Sequence, residues 1–288
     1  MNIDERGIAF PCRGDWLYGV LSQPEHPSQR GVVLVVGGPQ YRAGSHRQFS
    51  LLARYLAANG IAALRFDYRG MGDSDGMART FENIDDDIRC AIDHIFDQIP
   101  QLREVVLWGL CDGASASLFY AHCDPRVRGL ILLNPWIRTE QGEAKAYLRH
   151  YYAKRLFNAD LWSKVFSGRF DYKSAVQSAY RIVGSSLGVR RPVFSGAPAS
   201  SPEGSLSLPD RMLHGLTAFD GKVLLILSGK DLTAREFVDV TSGSRRWRRA
   251  LESQRVQRRE LAEANHTFSQ RDWRDQVAHW TQQWVRSW

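Results

Sequence analysis

The chain has 288 residues, of which 43% are hydrophobic and 24% charged, which suits one large α/β domain or a core with a subdomain. No run of about 18 or more uncharged apolar residues occurs, so no membrane span is expected. The formal net charge of +7 is concentrated late, in Arg245, Arg246, Arg248, Arg249, Arg255, Arg258 and Arg259. That stretch is spaced like a solvated helix with Trp247 and Leu251 inward, and no binding module accompanies it, so no nucleic-acid partner is expected.

The first residues, Met1 to Arg6, lack the basic start and apolar stretch of a signal peptide, which points to a cytoplasmic protein. Cys12, Cys90, Cys111 and Cys123 include no C-x-x-C pair, and a cytosolic setting disfavours disulfides, so neither a metal nor a cofactor is expected.

In chain order, Val32 to Val36 reads as a buried strand that ends in Gly37-Gly38-Pro39. Phe49 to Asn59 reads as a helix with Leu52, Tyr55 and Leu56 on one face and Gly60 as its stop. Ile61 to Phe66 is the next strand, followed by a glycine-rich loop from Arg69 to Gly76. Phe81 to Phe96 carries isoleucines at helical spacing, Val105 to Trp108 is a strand, Asp112 to His122 a helix and Val127 to Leu133 a further strand. This alternation predicts a mostly parallel sheet with crossover helices.

From Trp136 to about Val183 the chain reads as helical and aromatic-rich, and residues 184–208 as a flexible Ser/Gly/Pro-rich loop. The predicted organisation is therefore a core of residues 1–135 and 215–288 with a helical cap inserted at 136–214, over the carboxyl ends of the strands where open α/β sheets bind ligands. Strand signals return at Val223 to Leu227 and, more weakly, Val256 to Leu261. Trp273, Val277, Trp280, Trp284 and Trp288 then form the stripe of a final helix packed on the sheet.

The segment Gly109-Leu110-Cys111-Asp112-Gly113-Ala114 links an apolar strand to a small-residue helix, the layout of a nucleophile elbow. There the nucleophile sits in a strained turn between flanking glycines, and its thiol projects at a helix N-terminus that favours thiolate. A buried cysteine in an ordinary strand-to-helix turn is the competing account. Gly72-Asp73-Ser74-Asp75-Gly76 matches the commoner serine form of the pattern. Ser74, however, follows its strand by a loop of several residues, lacks a small-residue helix behind it and is flanked by two carboxylates, so it reads as a turn residue.

A thiol nucleophile needs a base and a group to orient it, in the chain order nucleophile, acid, histidine. Of the later histidines, His122 lies in the helix behind the elbow, His150 and His214 fall in or beside the cap, and His279 sits in the final helix. His266 alone occupies a loop between a strand and the last helix. Asp231, at the end of the strand from Val223, is the acid, with Asp239 as second choice; an N-cap role for Asp231 is compatible. The oxyanion hole is expected from the amides of Asp112 and Gln40, because Pro39 has no N–H. Tyr41, Arg42, Ser45, His46 and Arg47 are candidates for the pocket lining, Arg42 and Arg47 for a substrate anion, against a merely solvated loop.

The segments Gly37 to Phe49, Phe66 to Ser74, Gly109 to Ala114 and Ser228 to Ala234 together resemble the exosortase A system-associated hydrolase 1 family, over most of the chain. These are α/β-hydrolase-like proteins encoded beside exosortase and exopolysaccharide genes of Gram-negative bacteria. The resemblance implies an α/β-hydrolase fold. The G-x-C-x-G elbow is also similar to those of dienelactone hydrolases, polyhydroxyalkanoate synthases and bile-acid acyl-transferases. The expected chemistry is acyl transfer through a thioester on Cys111, with a small-molecule acyl substrate. Hydrolysis of an ester or thioester, passage of the acyl group to an amine or hydroxyl, and a non-catalytic hydrolase-like scaffold are the readings left open.

Overall fold

The computed structural model describes residues 3–38, 40–137 and 206–288. Met1–Thr139 and Ser207–Trp288 form one compact unit. The predicted cap lies, from 138 to 205, outside the described residues. So do His150 and all but the last residues of the 184–208 loop.

The sheet has eight strands: β1 (Ile3–Cys12), β2 (Asp15–Pro24), β3 (Arg30–Val35), β4 (Ala63–Phe66), β5 (Glu104–Leu110), β6 (Val127–Leu133), β7 (Lys222–Ser228) and β8 (Val256–Leu261). Their spatial order is β1-β2-β4-β3-β5-β6-β7-β8. From β4 to β8 all neighbours are parallel, while β1 and β2 form an antiparallel hairpin whose second strand pairs with β4. This is the α/β-hydrolase fold. The hairpin falls before the first strand read from the sequence. β1 is mostly exposed, so its apolar alternation is faint, and the turn is made by Arg13 and Gly14 at φ 54° and 92°.

The central strands are buried on both faces, and alternate residues feed two cores. Val33, Val35, Leu107, Leu130, Leu132 and Leu225 face the helices α2 (Asp85–Gln98) and α3 (Asp112–Tyr120). Val32, Leu34, Trp108, Ile131, Leu133 and Ile226 face α1 (Gln48–Ala58) and the C-terminal helix Arg271–Arg286. Val277 and Trp284 of the predicted tryptophan stripe are buried there, and Trp273, Trp280 and Trp288 pack on the same core. α3 is buried along almost its whole length, which explains its run of small residues where an amphipathic pattern would otherwise be needed.

Two stretches differ from the sequence reading. Arginines 245–259 do not form one helix. A short helix, Arg245–Leu251, buries Trp247 and Ala250, and the chain then turns to make β8, the weaker strand expected at Val256 to Leu261, which puts Arg258 and Arg259 on the exposed sheet edge. Charged residues on an edge strand oppose pairing with another chain. A helix at Leu208–Ala218, straddling the predicted end of the insertion at 214, is capped by Ser207 and lies so close to α3 that a Cβ at Gly215 would overlap the Leu118 carbonyl. Among the described residues, no helix is long and apolar enough to cross a membrane.

Candidate active site

β5 ends at Leu110, and α3 starts at Asp112, so Cys111 alone makes the turn. Its backbone stands at φ 61°, ψ −124°, a conformation that non-glycine residues hold only when their surroundings enforce it. The enforcement comes from both sides. The Cys111 N–H donates to the Leu133 carbonyl at 2.9 Å, tying the turn to the end of β6, and its carbonyl accepts from the N–H groups of Ala114 and Trp136. The flanking glycines let helix and strand close in: a Cβ at Gly109 would overlap the Gly113 carbonyl, and one at Gly113 the Val35 carbonyl. The thiol is half-buried and free of disulfide.

β7 ends at Ser228, and Asp231 caps the helix Leu232–Gly243 by accepting the Ala234 N–H at 3.0 Å. The same oxygen, Oδ2, lies 2.9 Å from His266 Nδ1. The two loops are pinned together by Lys230 N–H to Ala264 O at 3.0 Å and Gly229 N–H to Leu261 O at 2.9 Å. Burial would raise the Asp231 pKa, but the bond and charge of His266 and the N–H groups of Ala234 and Thr233 outweigh it, and the carboxyl is held below its ordinary value. His266 is pushed up to about 10, first by the Asp231 hydrogen bond and then by the Cys111 sulfur. With Nδ1 turned to the carboxylate, Nε2 is left for the thiol. Cys111, His266 and Asp231 thus come from three separate strand ends to one place. His122 instead sits against His214, 5.3 Å between ring centres, and His279 is exposed on the last helix. Asp239 lies two turns along the helix that Asp231 caps.

The Asp112 side chain has a role its sequence position did not reveal. Oδ2 accepts the Gly38 N–H at 2.8 Å and Oδ1 the Gly113 N–H at 3.0 Å, so the carboxyl staples the loop after β3 to the elbow. Burial raises its pKa against the opposing pull of those amides, its own N–H and His266. Gly38 is thereby engaged. Gln40 uses its side-chain oxygen to accept the Ser45 N–H at 3.2 Å.

Of the predicted lining residues, Tyr41 is half-exposed, and His46 and Arg47 are exposed in left-handed backbone at φ 52° and 60°. Arg42 is committed elsewhere: its guanidinium pairs with buried Asp67 and with Asp73 at 2.5 Å. The Ser74 hydroxyl is likewise occupied, donating to the Asp67 carbonyl at 2.6 Å and accepting the Tyr18 N–H at 2.9 Å.

A family model described as serine aminopeptidase, S33, matches residues 27–183. Polyketide transferase grgF of a Penicillium species is 32% identical over 118 residues, 38% of this chain and 38% of that protein. Acyltransferase drtE of Aspergillus calidoustus is 31% identical over 115 residues, 38% of this chain and 36% of that protein. The chain therefore matches little more than a third of the length of these curated relatives. Among solved structures, the esterase Pf2001 of Pyrococcus furiosus superposes with a TM-score of 0.62 at 16% identity, covering 98% of this chain and 94% of that one. Ferulic-acid-bound Est1E of Butyrivibrio proteoclasticus gives 0.61 at 13%, covering 96% and 97%. At these identities the two structures speak for the fold alone.

Proposed function

The chain belongs to the serine aminopeptidase S33 family of α/β-hydrolase-fold enzymes, and from that premise we propose that it is an acyl-transfer enzyme whose nucleophile is the Cys111 thiol. The family is named for serine, and this chain carries cysteine at its elbow. The observation that carries the reading is the meeting of three elements: a cysteine forced into positive-φ backbone, a histidine beside it and a carboxylate 2.9 Å behind the histidine. His266 takes the thiol proton, and the thiolate attacks an acyl carbonyl carbon. The oxyanion forms against the Asp112 and Gln40 amides; the Gly38 amide is already held by the Asp112 carboxylate. Collapse expels the alcohol or thiol of the donor, which receives the proton from His266, and leaves a thioester on Cys111.

Transfer to an amine or hydroxyl is the favoured second half. Thioesters yield to amines more readily than esters do, and two curated relatives carry the names polyketide transferase and acyltransferase. Water as acceptor gives the hydrolase reading. The resemblance to exosortase-associated hydrolases supports a place in exopolysaccharide or protein-sorting systems, with a small-molecule acyl donor in a cytoplasmic, thiol-preserving setting. The test is intact-mass spectrometry after mixing with p-nitrophenyl butyrate. A butyryl adduct on Cys111, discharged faster by added amine than by water, supports transfer. Equal discharge supports hydrolysis, and no adduct overturns the proposal in favour of a non-catalytic scaffold.

A further inference from the structure

β6 ends in Asn134, a residue none of the reactions above uses. It is fully buried, and its backbone is left-handed at φ 43°. Both N–H donors and the oxygen of its side-chain amide are hydrogen-bonded. Oδ1 accepts the Ser228 N–H at 2.9 Å, and Nδ2 donates to Ser228 Oγ at 2.6 Å and to the His266 carbonyl at 2.9 Å. Its own N–H donates to the Ile226 carbonyl at 3.1 Å, and the carbonyl just before it, that of Leu133, accepts the Cys111 N–H.

We infer that Asn134 is a positioning residue, a buried clip that holds the His266 loop and the strand end leading to Asp231 in register with the Cys111 turn. Only an amide fits this place. It must accept from one backbone N–H while donating to two oxygens, and a buried donor or acceptor left without its partner is penalised. Asparagine also tolerates left-handed backbone better than other non-glycine residues. Ser228 stands three residues before Asp231, so the clip reaches both partners of the nucleophile through single short links. The loops bearing His266 and Asp231 are joined to each other on the β8 side, through Gly229 and Lys230, and β7 is laddered to β6 as far as Ile226; Asn134 extends that tie to Ser228 and to the His266 loop.

The inference rests on the proposed triad, and the test separates the two. Iodoacetamide alkylation of Cys111, followed across pH by peptide mass mapping, is compared in wild type and in Asn134→Asp, Asn134→Gly, Ser228→Ala and His266→Ala. Asn134→Asp keeps the acceptor and removes both donors, whereas Asn134→Gly relieves the backbone and removes every side-chain bond. Both are expected to slow alkylation at pH 7 by about 10²-fold, since small misplacements of catalytic groups have effects of that order. Both should also shift the pH profile toward that of His266→Ala and lower kcat for p-nitrophenyl butyrate with little change in KM. Ser228→Ala, which removes a single hydroxyl, should shift the profile the same way by less and serves should the Asn134 variants fail to fold. An unchanged rate and profile in the folded variants, with loss of thermal stability alone, overturns the inference and leaves the triad standing. A wild-type profile in His266→Ala overturns both.

Discussion

Two segments of this molecule share one five-residue pattern and make opposite use of it. Gly109 to Gly113 and Gly72 to Gly76 each place a nucleophilic side chain midway between two glycines. In the first, the glycines remove side chains from a strand–helix junction so tight that the central residue itself must adopt φ 61°. In the second, the glycines carry the positive φ, 55° at Gly72 and 92° at Gly76, and Ser74 is left in relaxed backbone with its hydroxyl bonded to Asp67 and Tyr18. Glycine thus serves packing in one case and turning in the other. A strained residue between packing glycines presents its side chain, and a relaxed residue between turning glycines has it tied down.

The comparison breaks most directly at Cys111→Ala, which should abolish the covalent acyl adduct, while Ser74→Ala keeps it; an adduct retained in Cys111→Ala, by intact mass, would reverse the assignment. Asp231→Asn should leave the fold intact and lower kcat for p-nitrophenyl butyrate by about 10⁴-fold, the effect of losing the orienting carboxylate in such triads. The same variant should lower the His266 pKa from about 10, and by more than Cys111→Ala does, because the carboxylate bond is the larger cause; imidazole NMR titration reads both. A histidine whose pKa is raised on folding gives stability that is complete below its unfolded value of about 6.5 and is lost as pH rises toward 10. The melting temperature of wild type should therefore approach that of Asp231→Asn over that window, and a constant difference would contradict the shift. The smallest effect is Ser74→Ala, which should lose about 1 kcal/mol of unfolding free energy in urea with acylation unchanged, the usual worth of such hydrogen bonds.

The central strands, the elbow and the C-terminal helix are legible because each has a local signal, whereas the order of the strands in the sheet is not. An apolar run, a small-residue helix and a tryptophan stripe are readable within a dozen residues. The β1–β2 hairpin is not legible either, since a mostly exposed edge strand carries little periodicity; in the arginine stretch the weak strand signal at Val256 to Leu261 is right, but charge alone does not mark where the preceding helix stops. Cys111 had local support, whereas His266 and Asp231 were reached by position in the chain. In the sequence Asp112 offers only its amide at the elbow, and Asn134 carries no signal of a role. Both act through side-chain bonds to residues far along the chain, 74 positions for Asp112 to Gly38 and 132 for Asn134 to His266.

By itself the sequence determined the α/β framework and singled out Cys111 at the elbow, because backbone strain, glycine packing and hydrophobic period are encoded in neighbouring residues. Only the tertiary structure decided that Asp231 faces His266, that Arg42 is consumed by Asp67 and Asp73, and that Asn134 clips three strand ends together. Those are hydrogen bonds between groups that no local pattern pairs, and they exist only once the parallel strands have brought their carboxyl ends side by side.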